Sequence, residues 1–209
     1  MFNGIVNKGE DLYYYENGQG AGKGLIKYNG DYYYAENGGK LVLSQTIKAT
    51  ATNCDLPVGK NYEFGADGKM LNGIVTKGGE LYYYENGQGV EKGLLKYNGD
   101  YYYAAYKGKI LVSQTVNAPI TSCDLPAKVR YEFGADGKML NGIVEKDGVL
   151  YYYENGQGIE KCLFELDGHY YYAAYKGKLL VNITERITLT NNILIADRYT
   201  FNEYGQIVA

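Results

Sequence analysis

The sequence predicts an all-β protein, an elongated solenoid of stacked β-hairpins. Three observations carry that reading: a 69-residue block occurs three times, tyrosine and glycine dominate, and tight-turn dipeptides separate short apolar runs. The 209 residues include 26 tyrosines and 29 glycines, against 3 prolines and no tryptophan. Aromatic side chains suit the pleated surface of strands and glycine suits turns, so the composition disfavours helices.

The repetition is read from motifs that return at a constant spacing. Asn3-Gly4-Ile5-Val6 returns as Asn72-Gly73-Ile74-Val75 and Asn141-Gly142-Ile143-Val144. Tyr13-Tyr14-Tyr15-Glu16-Asn17-Gly18-Gln19-Gly20 returns at Tyr82–Gly89 and Tyr151–Gly158, and Tyr62–Met70 returns unchanged at Tyr131–Met139. The copies cover approximately residues 3–71, 72–140 and 141–209. They read as a single hairpin solenoid whose last copy diverges as a cap, the usual fate of a terminal repeat.

Each copy divides into two segments of about 20 residues and one of about 29, each a strand, a turn and a second strand. Asn29-Gly30 and Asn98-Gly99 are the strongest hairpin signals, with Asp167-Gly168 and Asp147-Gly148 repeating that chemistry. Both central residues of such a turn need positive φ, which Asn, Asp and Gly tolerate. The longer segment replaces the tight turn with a loop carrying Cys-Asp-Leu-Pro at 54–57 and 123–126. Nine hairpins and almost no helix are expected.

A two-residue turn fixes the pairing of its flanking residues, so faces can be assigned. Around Asn29-Gly30, Tyr28 faces Asp31, Lys27 faces Tyr32, Ile26 faces Tyr33 and Leu25 faces Tyr34. Ile26, Tyr28 and Tyr33 then share a core face, with Lys27, Tyr32, Leu25 and Tyr34 on the opposite, outer face. In the first hairpin of a copy, Tyr151 pairs with Val144 on the core face, and Tyr152 lies outside beside Ile143 and Leu150. This assignment turns six tyrosines outward: Tyr14, Tyr32, Tyr83, Tyr101, Tyr152 and Tyr170. Flat rings carrying a hydroxyl can stack on sugar C–H faces and hydrogen-bond to them. Lys27 and Lys96 stand beside Tyr32 and Tyr101, so these eight residues are the candidate ligand-binding set. The bland alternative is that the rings simply pack against neighbouring hairpins.

Other features exclude function classes. Charged residues are 22% and the net charge is −3, so no basic stripe exists to hold a nucleic acid backbone. Apolar runs are only a few residues long, which excludes a membrane-inserted helix. The first ten residues hold no export signal, so a signal would lie outside this chain. Cys54, Cys123 and Cys162 show no metal-ligand spacing and read as unpaired thiols. His169 reads as a solvated turn residue, and no acid–base pair or cofactor motif stands out, so no catalytic residue, metal or cofactor is expected.

The recurring Gly-Ile-Val-x-Lys-x-Gly-x-Leu-Tyr-Tyr-Tyr-x-x-Asn-Gly pattern resembles the cell-wall-binding repeat superfamily, which includes choline-binding and glucan-binding modules. The alternation of short and long segments is similar to the C-terminal repeats of clostridial toxins. The resemblance spans essentially the whole chain. It implies a β-solenoid on a secreted or surface-attached protein that binds a glycan or cell-wall polymer. The absence of tryptophan, from which choline-binding modules largely build their ammonium cages, argues against choline. The expected function is therefore non-catalytic carbohydrate or cell-wall binding. The alternative is a structural spacer or self-associating rod without a small ligand.

Overall fold

A computed structural model describes residues 2–208. Among them there is no α-helix, only two three-residue 3₁₀ turns, Tyr106–Gly108 and Tyr175–Gly177. Nine small antiparallel sheets follow one another along the chain, as the turn chemistry predicts. Among the described residues no helix is long and apolar enough to cross a membrane.

The chain divides into two compact units, Met1–Lys92 with Ala104–Ile110, and Gly93–Tyr103 with Leu111–Ala209. In the first unit, Gly4–Lys8, Asp11–Glu16 and the short strand Gln19–Gly20 form the first hairpin. Gly24–Tyr28 with Asp31–Ala35 form the second, and Thr46–Lys48 with Asn61–Glu63 the third. Gly73–Lys77, Glu80–Glu85 and Gln88–Gly89 form the fourth. The second unit contains the hairpin at Gly93–Tyr103, those at Gln114–Phe133, Gly142–Gly158 and Cys162–Ala173, and a final sheet from Ile183 to Val208.

The local pairing follows the sequence. Asn29 and Gly30 have φ of 50° and 90°, and the pairing Lys27–Tyr32, Ile26–Tyr33, Leu25–Tyr34 results. Val144 pairs with Tyr151 and Ile143 with Tyr152. The short third strands, Gln19–Gly20 and its equivalents, were not foreseen. Gly20 shows why glycine stands there, because a Cβ would lie 2.1 Å from the Gly38 carbonyl oxygen.

The expected assignment of inner and outer faces does not survive. Ile26 and Tyr33 are buried as predicted, but Leu25 and Tyr34, assigned to the outer face, are 0% and 2% exposed. The second hairpin lies between two apolar clusters. On one side Ile26 and Tyr33 meet Tyr14 of the first hairpin. On the other, Leu25 and Tyr34 meet Ala49, Tyr62 and Phe64 of the third. Alternation correctly says which residues share a face; both faces are covered near the hairpin base, and only the tip around Lys27, Asn29 and Gly30 is exposed. The first hairpins are inverted in the same sense. Ile143, Leu150 and Tyr152, expected outside, pack on the cluster of Phe164, Tyr171, Ala173 and Leu179.

Backbone bonds lock this stacking. The connecting segments pair back onto hairpins already made, Leu41 N–H donating to the Leu12 carbonyl at 2.8 Å and Met70 N–H to that of Tyr32 at 2.8 Å. Leu25 bonds the stretch just before Cys-Asp-Leu-Pro in both directions, its N–H donating to Ala51 and its carbonyl accepting from Asn53. Exposed ion pairs such as Lys69–Asp31 at 2.6 Å add little in water. Burial on both faces makes a quantitative prediction. Leu25→Ala should cost about 3 kcal/mol in denaturant unfolding, the range of a fully buried leucine truncation, and about as much as Ile26→Ala. A near-zero cost at Leu25 would restore the one-sided hairpin.

Candidate functional site

The structure disperses the eight residues expected to bind ligand. Tyr14 is 8% exposed, its ring tilted against Tyr28 at 5.4 Å between centroids. Tyr152 stacks on Phe164 at 3.7 Å and 14°, and its hydroxyl donates to Glu154 at 2.8 Å. Burial and that bond push the Tyr152 phenol up to about 12. Tyr83 is half-buried, with its hydroxyl on Glu85 at 3.0 Å. Tyr14 and Tyr152 face inward, against expectation, because the neighbouring hairpin covers them.

Tyr32 and Tyr101 sit nearer the hairpin tips and are half-buried. Lys27 and Lys96 place their Nζ atoms 4.9 Å from the respective ring centroids, so each lysine covers a ring face. The two phenols are also engaged. Tyr32 donates to Asp55 and Tyr101 to Asp124, both at 2.8 Å, latching the Cys-Asp-Leu-Pro loop to the hairpin. Tyr170 pairs across its hairpin with Glu165, and the third copy has no equivalent aspartate. Cys54, Cys123 and Cys162 are free thiols.

A different set of residues forms a concave surface, and it occurs once in each unit. In the first unit an open groove of about 720 Å³ runs between the third and fourth hairpins, lined by Glu63, Lys77, Tyr82, Tyr84, Gln88 and Lys107 among others. In the second unit Glu132, Lys146, Tyr151, Tyr153, Gln157 and Lys176 line a groove of about 590 Å³. Every pair is 69 residues apart. The groove exists because the two hairpins join edge to edge: Glu63 N–H donates to the Gly87 carbonyl at 2.9 Å and Glu132 N–H to that of Gly156 at 2.9 Å.

Charge is internally balanced on one groove wall. Tyr84 donates to Glu63 at 2.9 Å and Tyr153 to Glu132 at 2.8 Å, while Lys77 and Lys146 pair with those same carboxylates. Burial first, then the hydrogen bond to Glu63, pushes the Tyr84 phenol well above the ordinary tyrosine range. Partial burial opposes the charge on Lys146, but bonds to Glu132 and Tyr153 outweigh it and raise its pKa. Two strongly solvent-facing tyrosines stand next in sequence to the groove lysines Lys107 and Lys176: Tyr106 at 72% and Tyr175 at 69% exposure. Each follows an alanine pair in a 3₁₀ turn and precedes the groove lysine Lys107 or Lys176, which lies over its ring. Sequence reasoning passed these over, although Ala-Ala-Tyr-Lys-Gly was visible as an aromatic outside the strand alternation.

The latched loops give a pH prediction. Hydrogen bonds from Tyr32 and Tyr101 hold the Asp55 and Asp124 carboxyls below the ordinary aspartate range. Groups with depressed folded pKa values stabilise above the unfolded aspartate range and lose that contribution as pH falls through the depressed values. Carboxyl NMR titration should place both below an ordinary aspartate, and Tyr101→Phe should raise Asp124 toward it.

No family profile matches the chain. By sequence, 162 residues, 73% of the chain, are 30% identical to Glucosyltransferase-S of Streptococcus mutans, and the match covers 10% of that protein's length. Among solved structures, the choline-binding domain of CbpL from Streptococcus pneumoniae aligns with a TM-score of 0.45 and 21% identity, covering 100% of this chain and 98% of that one. Choline-binding protein F from Streptococcus pneumoniae, solved in the presence of a peptidoglycan analogue, aligns with a TM-score of 0.31 and 16% identity, covering 100% of both chains. The chain is thus similar to choline-binding proteins and to a stretch of a streptococcal glucosyltransferase, the kinds of protein whose cell-wall-binding repeats its recurring tyrosine motif resembles.

Proposed function

We propose that this chain is a non-catalytic carbohydrate- or cell-wall-binding module of a secreted or surface protein, and that its grooves are the binding seats. One observation carries the reading: the same open groove, with aromatic rings, a glutamine amide and cations, recurs in the two units at residues 69 apart. A glycan presents alternating C–H faces and hydroxyls, which suit tyrosine rings beside amide and ammonium donors. Shallow repeated seats favour polymers over monosaccharides, since each adds to avidity without a deep pocket. The sequence match to a stretch of Glucosyltransferase-S supports a glucan polymer as partner. With the reading goes the expectation that the three copies form a single solenoid. An elongated solution-scattering profile is the expected result, and compact dimensions would oppose it.

The competing reading, a self-associating rod, draws support from apolar residues of the loop that joins the first two strands of the last sheet, where Ile195 is 76% and Leu189 51% exposed. Concentration-dependent sedimentation with no retention on glycan would favour it.

The decisive comparison uses two multiple variants on immobilised cell wall or polysaccharide. Tyr82→Ala with Tyr106→Ala, Tyr151→Ala and Tyr175→Ala should weaken binding at least about tenfold, each ring contributing roughly 1 kcal/mol to a shared avidity. Tyr32→Ser with Tyr101→Ser and Tyr170→Ser should change it little. The reverse ranking, with both folds intact, would move the site to the hairpin tips and to Lys27 and Lys96.

A further inference from the structure

We propose that the two grooves select an oxyanion-bearing glycan, one carrying carboxylate or phosphate groups along its chain, over a neutral one. The inference rests on the groove reading and names its ligand class. Lys60, Lys77 and Lys107 line the first groove against the carboxylate of Glu63. Arg130, Lys146 and Lys176 line the second against Glu132 and Glu160. Both grooves thus hold excess positive charge on a chain whose net charge is −3. The inner carboxylates are already engaged. Glu63 takes Lys77 and the Tyr84 hydroxyl, and Glu132 takes Lys146 and the Tyr153 hydroxyl. Among the described residues no carboxylate pairs with the charged ends of Lys60, Lys107, Arg130 or Lys176.

Two of these cations stand where the backbone disfavours a side chain. Lys107 and Lys176 have φ of 56° and 53°, in the left-handed region that suits glycine. The first copy has Gly38 there, with φ of 84°, and its turn reads Asn37-Gly38-Gly39 in place of Tyr106-Lys107-Gly108. Among the described residues only the second and third copies have a preceding hairpin joined at the groove edge, and only they carry the Tyr-Lys pair. The lysine Nζ atoms lie 5.4 Å and 5.2 Å from the Tyr106 and Tyr175 ring centroids. A ring attracts an ammonium without neutralising it, so the charge stays available to a ligand oxyanion. Cations gathered along one cleft also focus their field there. A neutral glucan engages the rings and the amide but leaves these four cations to water. An acidic polymer pairs with them, and does so repeatedly along its length.

The test titrates plain dextran, carboxymethyl-dextran and dextran phosphate of one chain length into the full chain. At about 0.05 M salt the intact protein should bind a charged dextran at least about tenfold more tightly than the plain one, and by about 0.5 M, where screening is strong, the preference should collapse. The tighter of the two charged polymers names the oxyanion. Lys60→Gln, Lys107→Gln, Arg130→Gln and Lys176→Gln together, all at exposed positions, should erase the preference. Removing four cations outside the grooves, by Lys23→Gln, Lys27→Gln, Lys40→Gln and Lys96→Gln, should preserve it. Should the groove variant fail to fold, Lys107→Gly with Lys176→Gly places the first copy's residue in a conformation glycine favours. That pair should reduce the preference at least about threefold without lowering the unfolding midpoint. Equal binding of plain and charged dextran by the intact protein would overturn the proposal and leave the carbohydrate reading standing. Binding of no dextran would remove both. A charged preference that survives in the folded groove variants would also overturn the proposal.

Discussion

A two-stranded hairpin has two faces and no interior. Any apolar residue it carries must be covered by something else, and here the neighbouring hairpins cover both sides. The composition follows from that constraint. Each covering layer is thin, so a residue buried at its ring lies close to a rim where its far end meets polar groups. Tyrosine satisfies both conditions and phenylalanine only one. Tyr62 and Tyr131 are 2% and 1% exposed, yet their hydroxyls donate to the Pro57 and Pro126 carbonyls at 2.7 and 2.8 Å. Tyr34 reaches Thr50 at 3.2 Å. No buried side-chain nitrogen or oxygen among the described residues lacks a partner, so the rings are buried without orphaning their hydroxyls.

The same constraint decides what could be read beforehand. Turn position, strand pairing and the series of nine sheets are local, and Asn29-Gly30 with its flanking residues is enough to place them. Whether a face is covered is a tertiary matter. Period-two alternation puts Leu25 and Tyr34 together, but nothing in those residues says that Phe64 will arrive on top of them. Tyr14 and Tyr152 were misassigned for this reason. The groove was harder still, because Glu63 and Tyr84 come from different hairpins and meet only after the edges join.

Variation in the third copy fits the packing. Gly93 has φ of 64°, and a Cβ there would lie 2.2 Å from the Ile120 carbonyl oxygen, so a side chain is costly while the Cys-Asp-Leu-Pro segment lies alongside. Cys162 occupies that position in the third copy, where the segment has changed and Asn191 Nδ2 donates to its sulfur at 3.1 Å. The loop and the strand start have diverged together.

The central claim is that hairpins are covered on both faces, leaving solvent-facing tyrosines only at a few turns. Tyrosine nitration with peptide mass spectrometry on the folded protein measures this directly. The account predicts that Tyr106 and Tyr175 react first, while Tyr14, Tyr34 and Tyr131 stay protected until the chain unfolds. Nitration of Tyr14 and Tyr34 as fast as Tyr106 would contradict it.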